Sequence, residues 1–327
     1  MKLKKQAFGK SYAKIILFGE HSVVYNQPAI AIPLYSVDVN VEINKAVSGQ
    51  TINCRYFDGP VEDMQDNLAG LKKLIYATLK KFSKQSESFE IKISSKLPAE
   101  RGMGSSAATA VAVTRALFDY FDVHLNRDSL LEIADIEEKV THGNPSGIDS
   151  ATVSSDGGIW FIKGHENEQF NLNLPTSSLV IADSGIKGKT SEAVSLVARN
   201  LLDEPEKTKP LIKNLGEITN TAKEALTVSE PMLIGKLMDQ AQKDLSALGV
   251  SNKTLDKMCA IAKTNGALGA KLTGSGLGGC MIALAPSQES AQKIATALRT
   301  KGATKTWIQT FKNYEFSMEE SNGDAVK

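Results

Sequence analysis

The sequence predicts an α+β protein of two domains, and three observations lead to that prediction. The chain has 327 residues, which is about two domains' worth at roughly 150 residues per domain. Strand-like and helix-like segments follow one another without strict alternation, which disfavours a doubly wound parallel sheet. A polar stretch at His165–Gln169 predicts a surface loop near the middle of the chain. We therefore place the boundary between residues 165 and 178, with domains of 1–172 and 173–327.

The first half of the chain contains both kinds of pattern. Strands are predicted where apolar and polar residues alternate or β-rich residues cluster, and helices where apolar residues recur every three or four positions. These patterns predict strands at 13–18, 37–43, 89–93 and 158–162, and helices at 66–82, 105–121 and 128–141. The helix at 105–121 is apolar nearly all round, so we expect it to be buried. Asn126 or Asp128 is the expected N-cap of the third helix.

The second half is mostly helical. One strand is predicted at 178–182, followed by helices at 191–202, 210–227, 231–248 and 251–265. The chain then continues with a glycine-rich segment at 273–279, a strand at 281–285, a helix at 288–301 and a strand at 305–311. The polar tail from residue 317 is expected to be frayed.

The composition excludes several functional classes. Lys and Arg number 38 against 37 for Asp and Glu, and this balance does not suit a protein that coats nucleic acid or an anionic membrane. No stretch reaches about 18 uncharged apolar residues, and the apolar run at 15–18 is too short for an export signal. The 3 cysteines form no CxxC pair, so we expect neither a disulfide framework nor a zinc site, and a cytoplasmic location.

Several glycine patterns resemble phosphate-binding loops without qualifying as such. Gly9–Ser11 and Gly188–Thr190 end like the loop of P-loop ATPases, but Lys4 and Asp183 stand where that loop needs a glycine. Gly274–Gly279 matches GxGxxG, yet a predicted strand follows where a dinucleotide-binding fold needs a helix. A nicotinamide cofactor is therefore disfavoured.

The loop at 98–104 differs because it opens directly onto the buried helix predicted at 105–121. Small residues there let backbone amides approach a phosphate, and the helix dipole favours negative charge at that end. The alternative is an ordinary loop with a serine N-cap.

Three segments together resemble the motifs of the GHMP kinases, the superfamily of galactokinase, homoserine kinase, mevalonate kinase and phosphomevalonate kinase. They are Lys14–His21, Pro98–Ala107 and Lys271–Cys280, in the order of the family. Gly19–Tyr25 and His142–Asp149 are similar to the mevalonate kinase branch, whereas galactokinases have Thr-Asp-Tyr after Gly-Glu-His.

The resemblance implies a fold and an activity. The N-terminal α/β domain would be ribosomal-protein-like and the C-terminal domain ferredoxin-like, with the active site in the cleft between them. The activity would be transfer of the ATP γ-phosphoryl group to the 5-hydroxyl of (R)-mevalonate, giving 5-phosphomevalonate and ADP.

The resemblance also implies roles for the matching residues. Asp149 would take the proton from the substrate hydroxyl, and Lys14 would lie beside it and neutralise charge. ATP would be bound by Pro98, Arg101, Gly102, Met103, Gly104, Ser105, Ser106 and Ala107. The substrate would be bound by Lys14, Glu20, His21, Asp149, Gly274, Ser275 and Gly276, with Glu20 and His21 either contacting it or ordering the site. The ordinary alternatives are a capping residue for Asp149, a strand-edge lysine for Lys14 and a hydrogen-bonded core residue for His21.

Phosphoryl transfer also needs a metal ion, and Mg²⁺ prefers oxygen ligands. The resemblance implies that the Ser105 hydroxyl is one ligand. Glu137 and Glu138 both lean toward the apolar side of their helix, so periodicity does not separate them as candidates for the carboxylate. The family's glutamate lies four residues before the segment that begins at His142, which selects Glu138 and leaves Glu137 structural or solvated.

The expected cofactors are ATP and Mg²⁺, and the expected partner is a small-molecule substrate, with no nucleic acid and no membrane. The chain is expected to be a monomer or a homodimer. Lys187 or Thr190 is a further candidate for contact with a substrate anion. The alternatives are another GHMP small-molecule kinase, acting on phosphomevalonate, homoserine or a sugar, and a catalytically inactive nucleotide sensor. The presence of Asp149, Lys14, Ser105 and Glu138 argues against the sensor.

Overall fold

The strands of the protein form two sheets, one from each half of the chain. The computed structural model describes residues 3–98, 101–142, 147–188 and 190–311. The first sheet contains β1 (Gln6–Phe18), β2 (Ala29–Lys45), β3 (Gln50–Cys54), β4 (Phe57–Pro60), β5 (Phe89–Ser95), β6 (Gly158–Phe161) and β7 (Glu168–Phe170). Its order is β4-β3-β5-β2-β6-β7, and β1 pairs with β2 along nearly its whole length.

The two halves of β1 differ in burial, and this difference positions the site. From Gln6 to Ser11 exposed and buried residues alternate, because one face is open to solvent. From Ala13 to Phe18 every residue is buried, since other elements cover both faces. The β1–β2 register shifts between Tyr12 and Ala13, where this change begins. Lys14 therefore lies in the half of the strand that is covered on both sides.

Four helices are described in the first half: α1 (Ala69–Lys81), α2 (Ser105–Tyr120), α3 (Arg127–His142) and α4 (Ile148–Val153). The prediction that α2 is buried is confirmed, and 11 of its residues are buried. Gly9 lets β1 approach it closely, since a Cβ atom there would lie 2.0 Å from the carbonyl oxygen of Ala112. Asn126 is the cap of α3, because its Oδ1 accepts the Ser129 N–H at 2.9 Å.

The second half contains β8 (Ser178–Asp183), α5 (Thr190–Asp203), α6 (Pro205–Thr227), α7 (Pro231–Ala247), α8 (Lys253–Thr264), β9 (Gly269–Thr273), β10 (Cys280–Ala285), α9 (Gln288–Thr300) and β11 (Lys305–Thr310). Its antiparallel sheet has the order β11-β8-β10-β9. This order and the sequence of elements are those of a ferredoxin-like domain, so the predicted fold class is confirmed.

The outer strand β9 is protected by α7. Asp239 Oδ1 accepts the Ala270 N–H at 3.1 Å, and Gln242 Oε1 accepts the Leu272 N–H at 2.8 Å. Side chains of a neighbouring helix thus take the place of a further strand.

The structure corrects three parts of the predicted secondary structure. Helix α6 begins at Pro205, not at 210, so Pro210 lies inside it. The carbonyl left without a donor belongs to Glu206, which is exposed, and water can hydrate it. Glu168–Phe170 form strand β7, although 165–169 was predicted as a surface loop. Strands β3, β4 and β9 and helix α4 were not predicted.

The chain passes from the first sheet to the second between β7 and β8. The boundary at 172/173 lies in that connection and stays a prediction. Over the described ranges, no helix is both long and apolar enough to cross a membrane.

Candidate active site

A lysine and an aspartate lie at the centre of the site. Lys14 Nζ is 2.9 Å from Asp149 Oδ1. The Lys14 side chain is only 4% exposed, whereas that of Asp149 is 29% exposed. Asp149 is the second residue of α4, and the N-cap of that helix is Gly147, which has φ +84°. The structure thus presents a carboxylate that a small molecule can reach, held by a buried cation.

The glycine-rich loop passes directly over Lys14. The Lys14 N–H donates to the carbonyl oxygen of Met103 at 2.9 Å. Gly104 has φ +67°, and a Cβ atom there would lie 2.8 Å from Lys14 Cγ. Gly104 is also the N-cap of α2, so the first turn of that helix opens beside the lysine.

Not every residue of this loop has a side chain available for ATP. The Met103 side chain is buried, as is that of Ala107. Arg101 forms an ion pair with Asp183 of β8, with Nε 2.8 Å from Oδ1. Any ATP contact at Arg101 and Met103 therefore falls to the backbone. Pro98, Gly102, Ser105 and Ser106 are half-buried at the surface of the loop.

The third glycine-rich segment supports this loop from the second half of the chain. A Cβ atom at Gly274 would lie 3.1 Å from Gly102 Cα, and one at Gly279 would lie 2.8 Å from the carbonyl oxygen of Arg101. Gly274 and Gly276 have φ of +80° and +74°. The backbones of the two loops are thus in direct contact, and only glycine permits it at these positions.

Glu20 and His21 join the first segment to the third. His21 is buried, and its Nε2 lies 2.9 Å from the Ser275 carbonyl oxygen. Glu20 is fully buried, and its Oε1 forms an ion pair with Nζ of Lys271, which is also fully buried. Burial raises the pKa of Glu20, which the charge of Lys271 opposes, and burial lowers the pKa of His21. For Glu20 this geometry favours ordering the site over direct contact with substrate.

Glu138 lies next to the central pair. It is 2% exposed, and its Oε1 accepts hydrogen bonds from Ser150 N at 2.9 Å and Ser150 Oγ at 2.8 Å. Burial, followed by the negative charge of Asp149, raises the pKa of Glu138 to about 7. A buried acid beside a second carboxylate suits a bound cation, which would offset both effects.

The donors present fit Mg²⁺. Ser105 at the start of α2 offers a hydroxyl and Glu138 a carboxylate, both hard oxygen donors. Among the described residues, no group of three or more His, Cys, Asp or Glu could hold a metal ion. A metal with two protein ligands would take the rest from water and phosphate, which is how Mg²⁺ usually binds.

Glu137 is structural. It is buried, and its Oε1 accepts the Thr141 hydroxyl at 2.6 Å. A Cβ atom at Gly70 would lie 3.1 Å from Glu137 Cγ, which shows how closely α1 packs on this residue.

Two further residues predicted to contact the substrate lie at the exposed edge of the site. Thr190 is exposed, with its hydroxyl 3.3 Å from Ser275 Oγ, and Lys187 is also exposed. Their contact with a substrate anion stays a prediction. The turn residues Pro145 and Ser146 lie outside the described residues.

Sequence reasoning missed Lys271, Asp183 and Ser150 as parts of the site. Lys271 carried a detectable signal, since it is a charged residue between apolar Ala270 and Leu272. Asp183 and Ser150 carried none, because their contacts with Arg101 and Glu138 join separate elements of the fold.

Comparisons with known proteins agree with this geometry. Residues 71–158 match the GHMP kinases N terminal domain, and residues 222–304 match the GHMP kinases C terminal domain. A mevalonate kinase of Pyrococcus abyssi is 35% identical over 314 residues, covering 89% of this chain and 92% of the relative. The crystal structure of L. major mevalonate kinase in complex with R-mevalonate superposes with TM-score 0.81 at 27% identity, covering 94% and 98% of the two chains. Mevalonate kinase from Staphylococcus aureus MRSA252 does so with TM-score 0.72 at 31% identity, covering 94% and 99%.

Proposed function

The chain belongs to the mevalonate kinases of the GHMP kinase family, and we propose that Asp149 and Lys14 carry out its reaction. The enzyme is an ATP-dependent phosphotransferase with an alcohol as acceptor, and it phosphorylates mevalonate. The observation that carries the proposal is the 2.9 Å contact between Lys14 and a partly exposed Asp149, beside the loop that begins α2.

Asp149 acts as the general base. Phosphoryl transfer requires mainly positioning and electrostatic stabilisation, and one proton must leave the 5-hydroxyl of (R)-mevalonate. The Asp149 carboxylate is accessible enough to take it. Lys14 holds that carboxylate in place and supplies positive charge where the attacking oxygen becomes negative.

The loop at Gly102–Ser106 binds the phosphates of ATP. The free amides of the first turn of α2, a helix of 16 residues, point toward the loop, and the helix dipole favours phosphate at this end. Gly102 and Gly104 let the backbone of the loop pack closely on Gly274 and on Lys14. Arg101 acts indirectly, by tying the loop to Asp183.

Ser105 and Glu138 are the proposed ligands of Mg²⁺. The ion, when bound, neutralises charge on the phosphates. Ser150 holds Glu138 Oε1 through two hydrogen bonds and so fixes the orientation of that carboxylate.

The acceptor lies between Asp149 and the segment formed by His21 and Gly274–Gly276. His21 and Ser275 close this side of the pocket through their shared hydrogen bond. The 3 cysteines are all free, which suits the proposed cytoplasmic location.

A substrate panel tests the proposal. Purified protein with ATP and Mg²⁺ is assayed for ADP release with mevalonate, phosphomevalonate, homoserine and galactose. We expect kcat/KM to be highest for mevalonate by a wide margin, because the other acceptors match the pocket of other branches. A higher kcat/KM with any other acceptor would assign the chain to that branch.

A further inference from the structure

We propose that Lys271 is a positioning residue for the acceptor substrate, which acts through Glu20. The proposal rests on the proposed function, since it concerns the mevalonate side of the same site. Lys271 lies in β9 of the second sheet, whereas Glu20 follows β1 of the first. Their ion pair therefore joins the two sheets beside the proposed acceptor site.

The surroundings of Lys271 indicate that its charge mainly compensates the charge of Glu20. Its side chain is 0% exposed, and Nζ donates to Glu20 Oε1 and, at 2.8 Å, to the carbonyl oxygen of Leu272. The ring centroid of Phe18 is 5.9 Å away. Glu20 Oε2 has no hydrogen-bond partner within the described part of the chain, so Lys271 is the principal compensation for that buried charge. Removing it leaves a buried carboxylate without its cation.

The turn that carries Glu20 needs external support. Gly19 has φ +96°, and a Cβ atom there would lie 2.5 Å from Ala29 Cα. His21 has φ 60° and ψ -44°, a backbone conformation that residues other than glycine rarely adopt. Such a conformation persists only where the surroundings impose it.

The second sheet and the loop after β9 impose it through two consecutive residues. Lys271 holds Glu20, and the Ser275 carbonyl oxygen holds the His21 ring. Between these contacts, the Thr273 hydroxyl donates to the Ile16 carbonyl oxygen at 2.8 Å and accepts the Ile16 N–H at 3.1 Å. β1 and β9 are therefore fixed to each other beside the proposed acceptor site.

The phosphate loop is held by contacts that do not include Lys271. Gly102 packs on Gly274, and Arg101 pairs with Asp183. Loss of the Lys271 charge should therefore disturb the acceptor side and spare ATP binding. A purely structural role would lower thermal stability without this selectivity.

The experiment is a double-mutant cycle. Lys271→Met, Glu20→Gln and the combined variant are assayed with mevalonate and ATP varied in turn, and ATP binding is titrated directly. We expect each single variant to lower kcat/KM for mevalonate by about tenfold or more, with the ATP Kd within about twofold of wild type. The combined variant should be no worse than the poorer single variant, because both act through one contact. Losses that multiply, or a parallel loss of ATP affinity, would overturn the proposal.

Two controls make the result decisive. Lys263→Met removes a lysine that pairs with Asp239 and is 47% exposed, and it should keep wild-type kinetics. If Lys271→Met does not fold, the double variant Lys271→Met/Glu20→Met replaces the ion pair by apolar side chains and leaves no unpaired charge. It should bind ATP normally but lose about tenfold or more in kcat/KM for mevalonate, and wild-type kinetics would overturn the proposal. If the wild type does not use mevalonate, the proposed function fails, and the cycle is run with the acceptor that it uses.

Discussion

Lys14 and Lys271 both lie in buried parts of strands, but the acids that they contact imply different roles for them. Lys14 faces Asp149, whose side chain is 29% exposed, and so both groups can meet a substrate. Lys271 faces Glu20, which is fully buried, and so this pair can act only by holding other residues in place. The exposure of the acid therefore distinguishes an ion pair that can take part in the reaction from one that can only position other residues.

The raised pKa of Glu138 predicts that the stability of the metal-free enzyme depends on pH. Its pKa is raised from 4.5 to about 7, so the native state keeps this proton to higher pH than the unfolded chain. The group therefore favours folding at low pH, and that contribution is lost as pH rises from about 4.5 to about 7. The loss is on the order of 3 kcal/mol at most. Thermal unfolding in EDTA across this window measures it.

Glu138→Gln should remove this part of the pH dependence and should stabilise the metal-free protein at pH above 7. Glu137→Gln, a buried neighbour that keeps its acceptor for Thr141, should retain the slope. With excess Mg²⁺, the wild type should gain stability and Glu138→Gln should gain little. Glu138→Gln should also lose most activity and Glu137→Gln little, and equal losses of activity from both would contradict Glu138 as the metal ligand.

The start of α2 is where element geometry matters most for function. Gly104 combines a left-handed conformation, which strains any other residue, with close packing on Lys14, where an added Cβ atom would lie 2.8 Å from Cγ. Gly104 therefore brings the loop and the helix N-terminus close to Lys14, the proposed catalytic lysine.

Gly104→Ala should lower kcat and ATP affinity together, because the new methyl group displaces Lys14 and the loop. We expect a loss of about tenfold or more in kcat/KM. Gly49→Ala is the matched control, since Gly49 has φ +75° and nothing lies within 4 Å of an added Cβ atom. It should cost about 1 kcal/mol in stability and leave the kinetics unchanged. Wild-type kinetics in Gly104→Ala, as in the control, would contradict the role given to the contact between Gly104 and Lys14.

Elements with a strong local pattern were predictable, and short or packing-dependent ones were not. The alternation at 37–43 lies within β2, and the apolar segment at 105–121 gave α2 nearly to the residue. β3, β4 and β7 have 5, 4 and 3 residues, too few for a periodic signal. The glycine loops were found from local sequence, whereas Glu20 and Lys271 are 251 positions apart and meet only through packing of the two sheets.

At the scale of the whole molecule, the candidate site lies where the two sheets meet. Arg101 pairs with Asp183, and His21 bonds to Ser275. Each contact joins a segment from the first half of the chain to one from the second. The ferredoxin-like half thus holds the loop at Gly102–Ser106 and the turn at Glu20 and His21, and the first half supplies the proposed base, its lysine and the proposed metal ligands.

The most direct test of this arrangement is the kinetics of Asp149→Asn with a parallel ATP-binding titration. The variant keeps the shape of the side chain but cannot accept the proton, so kcat should fall by about 10² to 10⁴ while the ATP Kd changes little. Lys14→Met should also lower kcat, and the double variant should be less impaired than the product of the two losses, because both residues serve one proton transfer. Asp135→Asn is the control, an aspartate on α3 that is 39% exposed and pairs with Lys139, and it should behave as wild type. If Asp149→Asn retains more than about a tenth of the wild-type kcat, Asp149 is not the base.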